Sequence, residues 1–167
     1  MSNNLSEGKI LVTGAAGFIG SAVIWGLNKR GINNILACDA LGADDRFLNL
    51  THLDFADYIE SDALLENLDN LKDIRTIFHL GACSSTTETD SRYLIENNYE
   101  YTKIVAEWAL ENNMRFVYAS SAATYGDGSN GMDDDESKIE TLRPLNMYGY
   151  SKHLFDLYAK KHGFLDK

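Results

Sequence analysis

Short apolar runs recur along the chain, and most are followed by a longer stretch whose apolar residues fall at helical spacing. Lys9-Ile10-Leu11-Val12, Ile35-Leu36-Ala37-Cys38, Thr76-Ile77-Phe78-His79-Leu80 and residues 114–119, centred on Phe116-Val117-Tyr118, predict strands, the first of them buried. A further short strand is expected near Leu53-Asp54-Phe55. Residues 18–30 predict a helix with a stripe at Ile19, Val23, Ile24 and Leu27. Residues 61–71 predict a second, capped by Ser61 and striped by Ala63, Leu64, Leu68 and Leu71. Residues 90–112 predict a long helix with Leu94, Tyr101, Ile104, Val105 and Trp108 on one face, and residues 147–162 a last one behind Pro144. Residues 127–140, acidic and glycine-containing, read as a loop. This alternation predicts an α/β fold built on a doubly wound parallel sheet.

The glycines give the first strand-helix junction its chemistry. Gly14-Ala15-Ala16-Gly17-Phe18-Ile19-Gly20 sits between the first strand and the first helix. A glycine-rich turn lets backbone approach a pyrophosphate, and a helix N-terminus offers unpaired N–H groups with a partial positive charge. Asp39 ends the second strand, nineteen residues past Gly20, where a ribose-binding carboxylate is expected. Together these predict a Rossmann-like dinucleotide-binding unit; glycines alone, which turns collect for steric reasons, would not. Arg46, in the mixed-charge loop 40–49, has two readings. It pairs with a 2′-phosphate and favours NADP, or it is a solvated loop cation and Asp39 alone favours NAD.

Other strand ends are rich in small and hydroxyl residues. Gly81-Ala82-Cys83-Ser84-Ser85-Thr86-Thr87 follows one strand, where α/β proteins bind ligands; its hydroxyls can equally cap the next helix. His79 reads as a core histidine. Asn97 falls on the apolar face with Leu94 and Tyr101, and a buried amide needs partners, structural or in a cofactor. Ser120-Ser121 follows the last strand. Ser121 is a candidate to hold a substrate hydroxyl or carbonyl, or simply to satisfy local backbone.

The last helix carries Tyr148-Gly149-Tyr150-Ser151-Lys152. Tyr148 and Lys152 share a face, four residues apart. A free tyrosine ionises near pH 10, about three units too high for a base at neutral pH, and a nearby ammonium favours the phenolate. Tyr150, two residues from Lys152, faces elsewhere. Tyr-x-x-x-Lys alone is a common accident of surface helices; behind the glycine turn and Ser120-Ser121 it predicts a proton-transfer set of Tyr148, Lys152 and Ser121.

Composition narrows the picture. A chain of 167 residues suffices for one domain, here residues 1–167. A net charge of −10 argues against a nucleic-acid surface. Cys38 and Cys83 lie in or beside apolar runs without C-x-x-C spacing, and read as core thiols of a reducing compartment, with neither disulfide nor metal site. Residues 1–8 are polar and predict no signal peptide, and no run reaches the length of a bilayer span. The expectation is a cytoplasmic protein.

The glycine spacing G-x-x-G-x-x-G resembles the extended short-chain dehydrogenases/reductases. Within them, Phe78 to Glu88, Asn97-Asn98-Tyr99, Tyr118 to Gly126 and Leu145 to Lys152 resemble the ADP-L-glycero-D-manno-heptose 6-epimerases over nearly the whole chain. The resemblance implies NADP, with NAD possible, held by Gly14, Gly17, Phe18, Ile19, Gly20, Asp39, Ala40, Arg46, Leu80, Gly81, Ala82, Cys83, Ser84, Asn97 and Lys152. It implies a catalytic Tyr148, a nucleotide-sugar (ADP-heptose) substrate, a role in lipopolysaccharide core synthesis and a homo-oligomeric parent. The implied reaction is a transient oxidation: Tyr148 removes a hydroxyl proton while hydride passes to the nicotinamide, then returns to the other face. Arg46 stands where that family has a basic residue, Ser61 where it has a second, and Leu80 where it has a glutamate. Related dehydratases place Thr-Asp-Glu where this chain has Ser121-Ala122-Ala123, which disfavours elimination of water. Another epimerase or reductase of the family, or a non-catalytic dinucleotide-binding fragment, remains the alternative. Extended members add a last strand and a carboxyl-terminal substrate domain that this sequence lacks, since a Rossmann sheet has six strands and about five are counted here.

Overall fold

The computed structural model describes residues 5–165, so the start of the polar stretch read as lacking a signal peptide lies outside the described residues. Five strands form one parallel sheet in the order β3-β2-β1-β4-β5: β1 Lys9–Thr13, β2 Ile35–Asp39, β3 Asp57–Glu60, β4 Ile74–His79 and β5 Arg115–Tyr118. The helices are α1 Phe18–Asn28, α2 Ser61–Asn67, α3 Ser91–Leu94, α4 Tyr101–Glu111 and α5 Met147–Lys161. The central strand β1 is buried along nearly its whole length, with Leu11 opposite Leu36 on one side and Ile77 on the other. Strands covered on both faces read as continuous apolar runs, and for that reason β1, β2 and β4 are visible in the sequence. No helix of the described residues is long and apolar enough to cross a membrane.

The chain forms two compact units. The first, residues 5–81 with Ile104–Ala119, holds the sheet. Its core joins Ile10 and Val12 of β1, Ile24 and Leu27 of α1 and Ile35 and Ala37 of β2. The second, Ala82–Lys103 with residues 120–165, holds α3, α5 and the short 3₁₀ turns Ala122–Tyr125 and Glu136–Thr141.

Several expectations shift. The third strand is not at residues 53–55: Leu53 and Phe55 turn inward to pack on the first unit's core, and the four residues Asp57–Glu60 pair with β2 instead. Helix α2 is capped by Glu60 rather than Ser61, and gives way after Asn67 to a 3₁₀ turn, Leu68–Asn70. Helix α1 stops at Asn28, and Ile19 stands 59% exposed rather than in the stripe. The long helix of residues 90–112 is interrupted. Between α3 and α4 the six residues Ile95–Glu100 wind as a π-helix. Within α4, Ile104 stands at the surface, 41% exposed, while Val105 and Trp108 are buried.

Candidate functional site

The glycine turn lies in the first unit and is shaped by backbone approach. Gly14 has φ +67, and a Cβ there would stand 2.7 Å from the Gly81 nitrogen. A Cβ on Gly20 would fall 2.0 Å from the Gly14 carbonyl oxygen, so the first turn of α1 lies directly on the loop. Gly17 caps α1 with no side-chain hydrogen bond. The helix start therefore presents its N–H groups without a side chain over them, as an anion-binding terminus requires. Phe18 and Ile19, 88% and 59% exposed, stand at that same start. Apolar residues held out beside a bare helix terminus suit the flank of a bound dinucleotide, and the turn leaves no room for a Cβ at Gly14.

Asp39 ends β2 and is tied into this turn. Its Oδ2 accepts from the Ala16 N–H at 2.7 Å and its Oδ1 from the Ala40 N–H at 2.8 Å. Arg46 stands over it: Nη1 lies 3.4 Å from Asp39 Oδ1, Nη2 donates to the Ala40 carbonyl at 2.8 Å, and Nε to Asp44 at 2.7 Å. The bond to Asp44 raises the Arg46 guanidinium above its ordinary value. Arg46 is thus a held cation at the carboxylate, though its side chain is 43% exposed. Two supports were not singled out in the sequence. Asn49 donates to the Ala16 carbonyl at 2.7 Å, and the Tyr58 hydroxyl donates to the Asp39 carbonyl at 2.9 Å or Glu60 at 3.0 Å. Burial, then the bond to Glu60, raises the Tyr58 phenol. Leu80 and Gly81 follow β4, where the Thr13 hydroxyl accepts both backbone N–H groups.

The second unit holds the proton-transfer candidates. Asn146 caps α5 through the Gly149 N–H at 2.7 Å, which places Tyr148, half-buried, in the first turn. A Cβ on Gly149 would come 2.7 Å from the Ala123 carbonyl oxygen, so only glycine lets α5 lie this close to the 3₁₀ turn after Ser121. Lys152 is buried, and that burial pulls its ammonium down to about 8, with the charge of Asp156 acting in the opposite sense. Tyr150 is 45% exposed. Ser121 caps the 3₁₀ turn through the Ala123 N–H at 3.2 Å.

The buried amide here is Asn98, not Asn97. Asn98 is 0% exposed, accepts from the Cys83 N–H at 2.8 Å, and donates to the Cys83 carbonyl and Ser151 Oγ, both at 3.0 Å. Asn97 is only half-buried and donates back to the Tyr93 carbonyl at 2.8 Å. The sequence shows two adjacent asparagines; only the π-helix decides which one turns inward. Ala82 and Ser84 flank Cys83 and are exposed. Cys38 and Cys83 form no disulfide among the described residues.

A parallel sheet with its glycine turn behind the central strand and an acid ending the neighbouring strand is the architecture of a dinucleotide-binding protein. The model of the NAD dependent epimerase/dehydratase family matches residues 10–163, and the chain belongs to that family. It is 47% identical over 159 residues to an ADP-L-glycero-D-manno-heptose-6-epimerase of Nitratidesulfovibrio vulgaris, covering 93% of this chain and 49% of that protein. It is 48% identical over 157 residues to one of Fusobacterium nucleatum, covering 91% and 47%. Among solved structures it resembles the Helicobacter pylori ADP-L-glycero-D-manno-heptose-6-epimerase, with a TM-score of 0.81 at 25% identity over 97% of this chain and 52% of that one. It also resembles UDP-glucuronic acid 4-epimerase from Bacillus cereus in complex with NAD, with a TM-score of 0.75 at 29% identity over 92% and 51%. The chain spans about half the length of the curated relatives it matches.

Proposed function

We propose that this chain is the dinucleotide-binding part of a cytoplasmic nucleotide-sugar epimerase that inverts C6 of ADP-glycero-manno-heptose with NADP. The observation that carries the reading is the placement of Tyr148 and buried Lys152 on one face of α5 in a chain 47% identical to a relative bearing that name. A bound nicotinamide dinucleotide would take up and return the electrons and carbon-bound hydrogen of the sugar alcohol. Tyr148 Oη accepts the hydroxyl proton on oxidation and gives it back on reduction. Lys152 supplies a positive charge on the same helical face. Ser121 Oγ orients the reacting oxygen. Gly14, Gly17 and Gly20 bring backbone N–H groups to the pyrophosphate, and Asp39, with Ala40, receives the adenosine ribose. Phe18, Ile19, Leu80, Gly81, Ala82, Cys83, Ser84 and Asn97 complete the cofactor contacts in this reading. Ala122 and Ala123 follow Ser121 with methyl groups that neither give nor take a proton, which favours epimerisation over dehydration.

Isothermal titration of NADP⁺ and NAD⁺ into the purified chain tests this, alongside Gly17→Arg and Tyr148→Phe. The expected result is binding that Gly17→Arg abolishes and Tyr148→Phe keeps. A folded chain that binds neither nucleotide would falsify the reading for these residues.

A further inference from the structure

Asp156 is a buried carboxylate that the proposed reaction does not use. It is 6% exposed, and it lies one turn beyond Lys152, itself 5% exposed, on α5. Tyr148, Lys152 and Asp156 follow one another at four-residue steps, so they share a helical face. The Asp156 carboxylate reaches off the helix as well: Oδ2 accepts from Ser120 Oγ at 2.7 Å. Ser120 precedes Ser121 directly. One carboxylate therefore meets both the helix that bears Tyr148 and Lys152 and the segment that bears Ser121.

Burial disfavours the Lys152 charge, and Asp156 is the charged group that opposes this. The neighbouring His153 is 4% exposed with Nδ1 unpartnered among the described residues; burial, the first cause, lowers it, Asp156 raises it, and Arg143 lowers it. From the π-helix, α5 is met by the amide of Asn98, on Ser151, and by the ring of Tyr99, edge-on to Tyr158. A hydroxyl anchor for Ser120 alone needs no charge, and a buried carboxylate is costly unless it is paired.

We propose that Asp156 is a positioning residue: its carboxylate is the counter-charge of the buried Lys152 ammonium and, through Ser120 Oγ, fixes the Ser120-Ser121 segment to α5. A lysine that lost its proton would neither favour a phenolate on its helical face nor donate to a ribose hydroxyl. That consequence rests on the functional reading above. The pairing itself does not, and it is measured on the nucleotide-free chain.

The experiment is a pH titration of the Lys152 side chain by NMR with [ε-¹³C]lysine, the signal assigned by its loss in Lys152→Arg. The wild-type midpoint is expected near 8. In Asp156→Asn, which still accepts from Ser120, the midpoint falls by about one pH unit or more. Asp156→Glu restores most of the shift, and Ser120→Ala, which leaves the charge, keeps the wild-type midpoint. If Asp156→Asn fails to fold, Ser120→Ala with Asp156→Leu removes both polar partners together, a change buried pairs tolerate better, and the same fall is expected. A folded chain without the carboxylate whose Lys152 midpoint stays at the wild-type value overturns the proposal; so does an equal fall in Ser120→Ala. Nucleotide binding measured on the same samples bears separately on the functional reading, since the titration gives its answer whether or not nucleotide binds.

Discussion

The Thr13 hydroxyl and the His79 imidazole are hydrogen-bonded to each other, Oγ1 to Nδ1 at 2.9 Å, at the neighbouring ends of β1 and β4. The same hydroxyl accepts the Leu80 N–H at 3.2 Å and the Gly81 N–H at 3.1 Å. A hydroxyl has two lone pairs and one proton. With N–H groups on its lone pairs, the hydroxyl can turn its proton to Nδ1 when the imidazole hydrogen sits on Nε2. His79 is 1% exposed and stacks on Phe116, with ring centroids 5.8 Å apart. The core histidine thus has a use: it orients the hydroxyl that draws Gly81 up against Gly14.

Thr13→Val keeps the shape of the side chain and removes this hydroxyl. The Gly81 N–H and His79 Nδ1 then lose a buried partner, a loss of about 2 kcal/mol in stability. Urea unfolding measures it, and dinucleotide titration on the same protein is expected to show weaker binding because the Gly14 turn loses its backstop. Thr13→Ser, which keeps the hydroxyl, is expected to recover both. Thr13→Val with wild-type stability and binding would sink this account.

The two asparagines of the π-helix predict opposite outcomes. Asn98→Ala strands the Cys83 N–H and the Cys83 carbonyl, both bonded to its amide, and takes one of two partners from Ser151 Oγ, which keeps the Tyr148 carbonyl. The expected destabilisation is about 3 kcal/mol. Asn97→Ala removes a half-buried bond to the Tyr93 carbonyl within its own helix, and is expected to cost under about 0.5 kcal/mol. Equal effects in thermal or urea unfolding would mean that the helix runs straight and the π turn is absent.

The contrast shows which features pattern alone can carry. Strands β1, β2 and β4 were readable because both faces are buried and their apolar runs are continuous. The glycine turn and Asp39 were readable because backbone approach and an acidic strand end need particular residue types. Strand β3 was misplaced because Leu53 and Phe55 are apolar for core contact, whereas Asp57–Glu60 pairs at the sheet edge with exposed ends. Asn98 was missed because a 3.6-residue period assumes an uninterrupted helix. Asp156 was not singled out in the sequence, since nothing local marks a carboxylate whose partner, Ser120, lies thirty-six residues away.

In the proposed reading, Arg46 is the residue that distinguishes the two cofactors. Its guanidinium is held between Asp44, Asp39 and the Ala40 carbonyl, so it is fixed at the Asp39 carboxylate. Arg46→Ala is expected to weaken NADP⁺ binding about tenfold, the loss of one charge-assisted contact to a 2′-phosphate, while NAD⁺ binding stays nearly unchanged. Equal losses for both nucleotides would show that Arg46 holds the loop and does not read the phosphate.

The buried lysine gives stability a pH dependence of definite sign. Lys152 titrates at about 8 in the folded chain against an ordinary 10.5, because burial disfavours the ammonium more than Asp156 favours it. Below pH 8 both states are protonated, and the folded chain carries the full cost of the buried charge. Between about 8 and 10.5 the folded chain has released the proton while the unfolded chain still holds it. Stability rises with pH wherever the unfolded state binds more protons, so the cost is relieved across this window, by about 3 kcal/mol in all. Lys152→Met has no such titration. Urea unfolding of both chains from pH 7 to pH 10 cancels the groups they share, and the stability of wild type relative to Lys152→Met is expected to climb by roughly 2–3 kcal/mol. In an Asp156→Asn background the climb should begin at lower pH, since the counter-charge is gone. A difference that stays flat would mean that the carboxylate fully offsets burial and that Lys152 keeps its ordinary value in the folded chain.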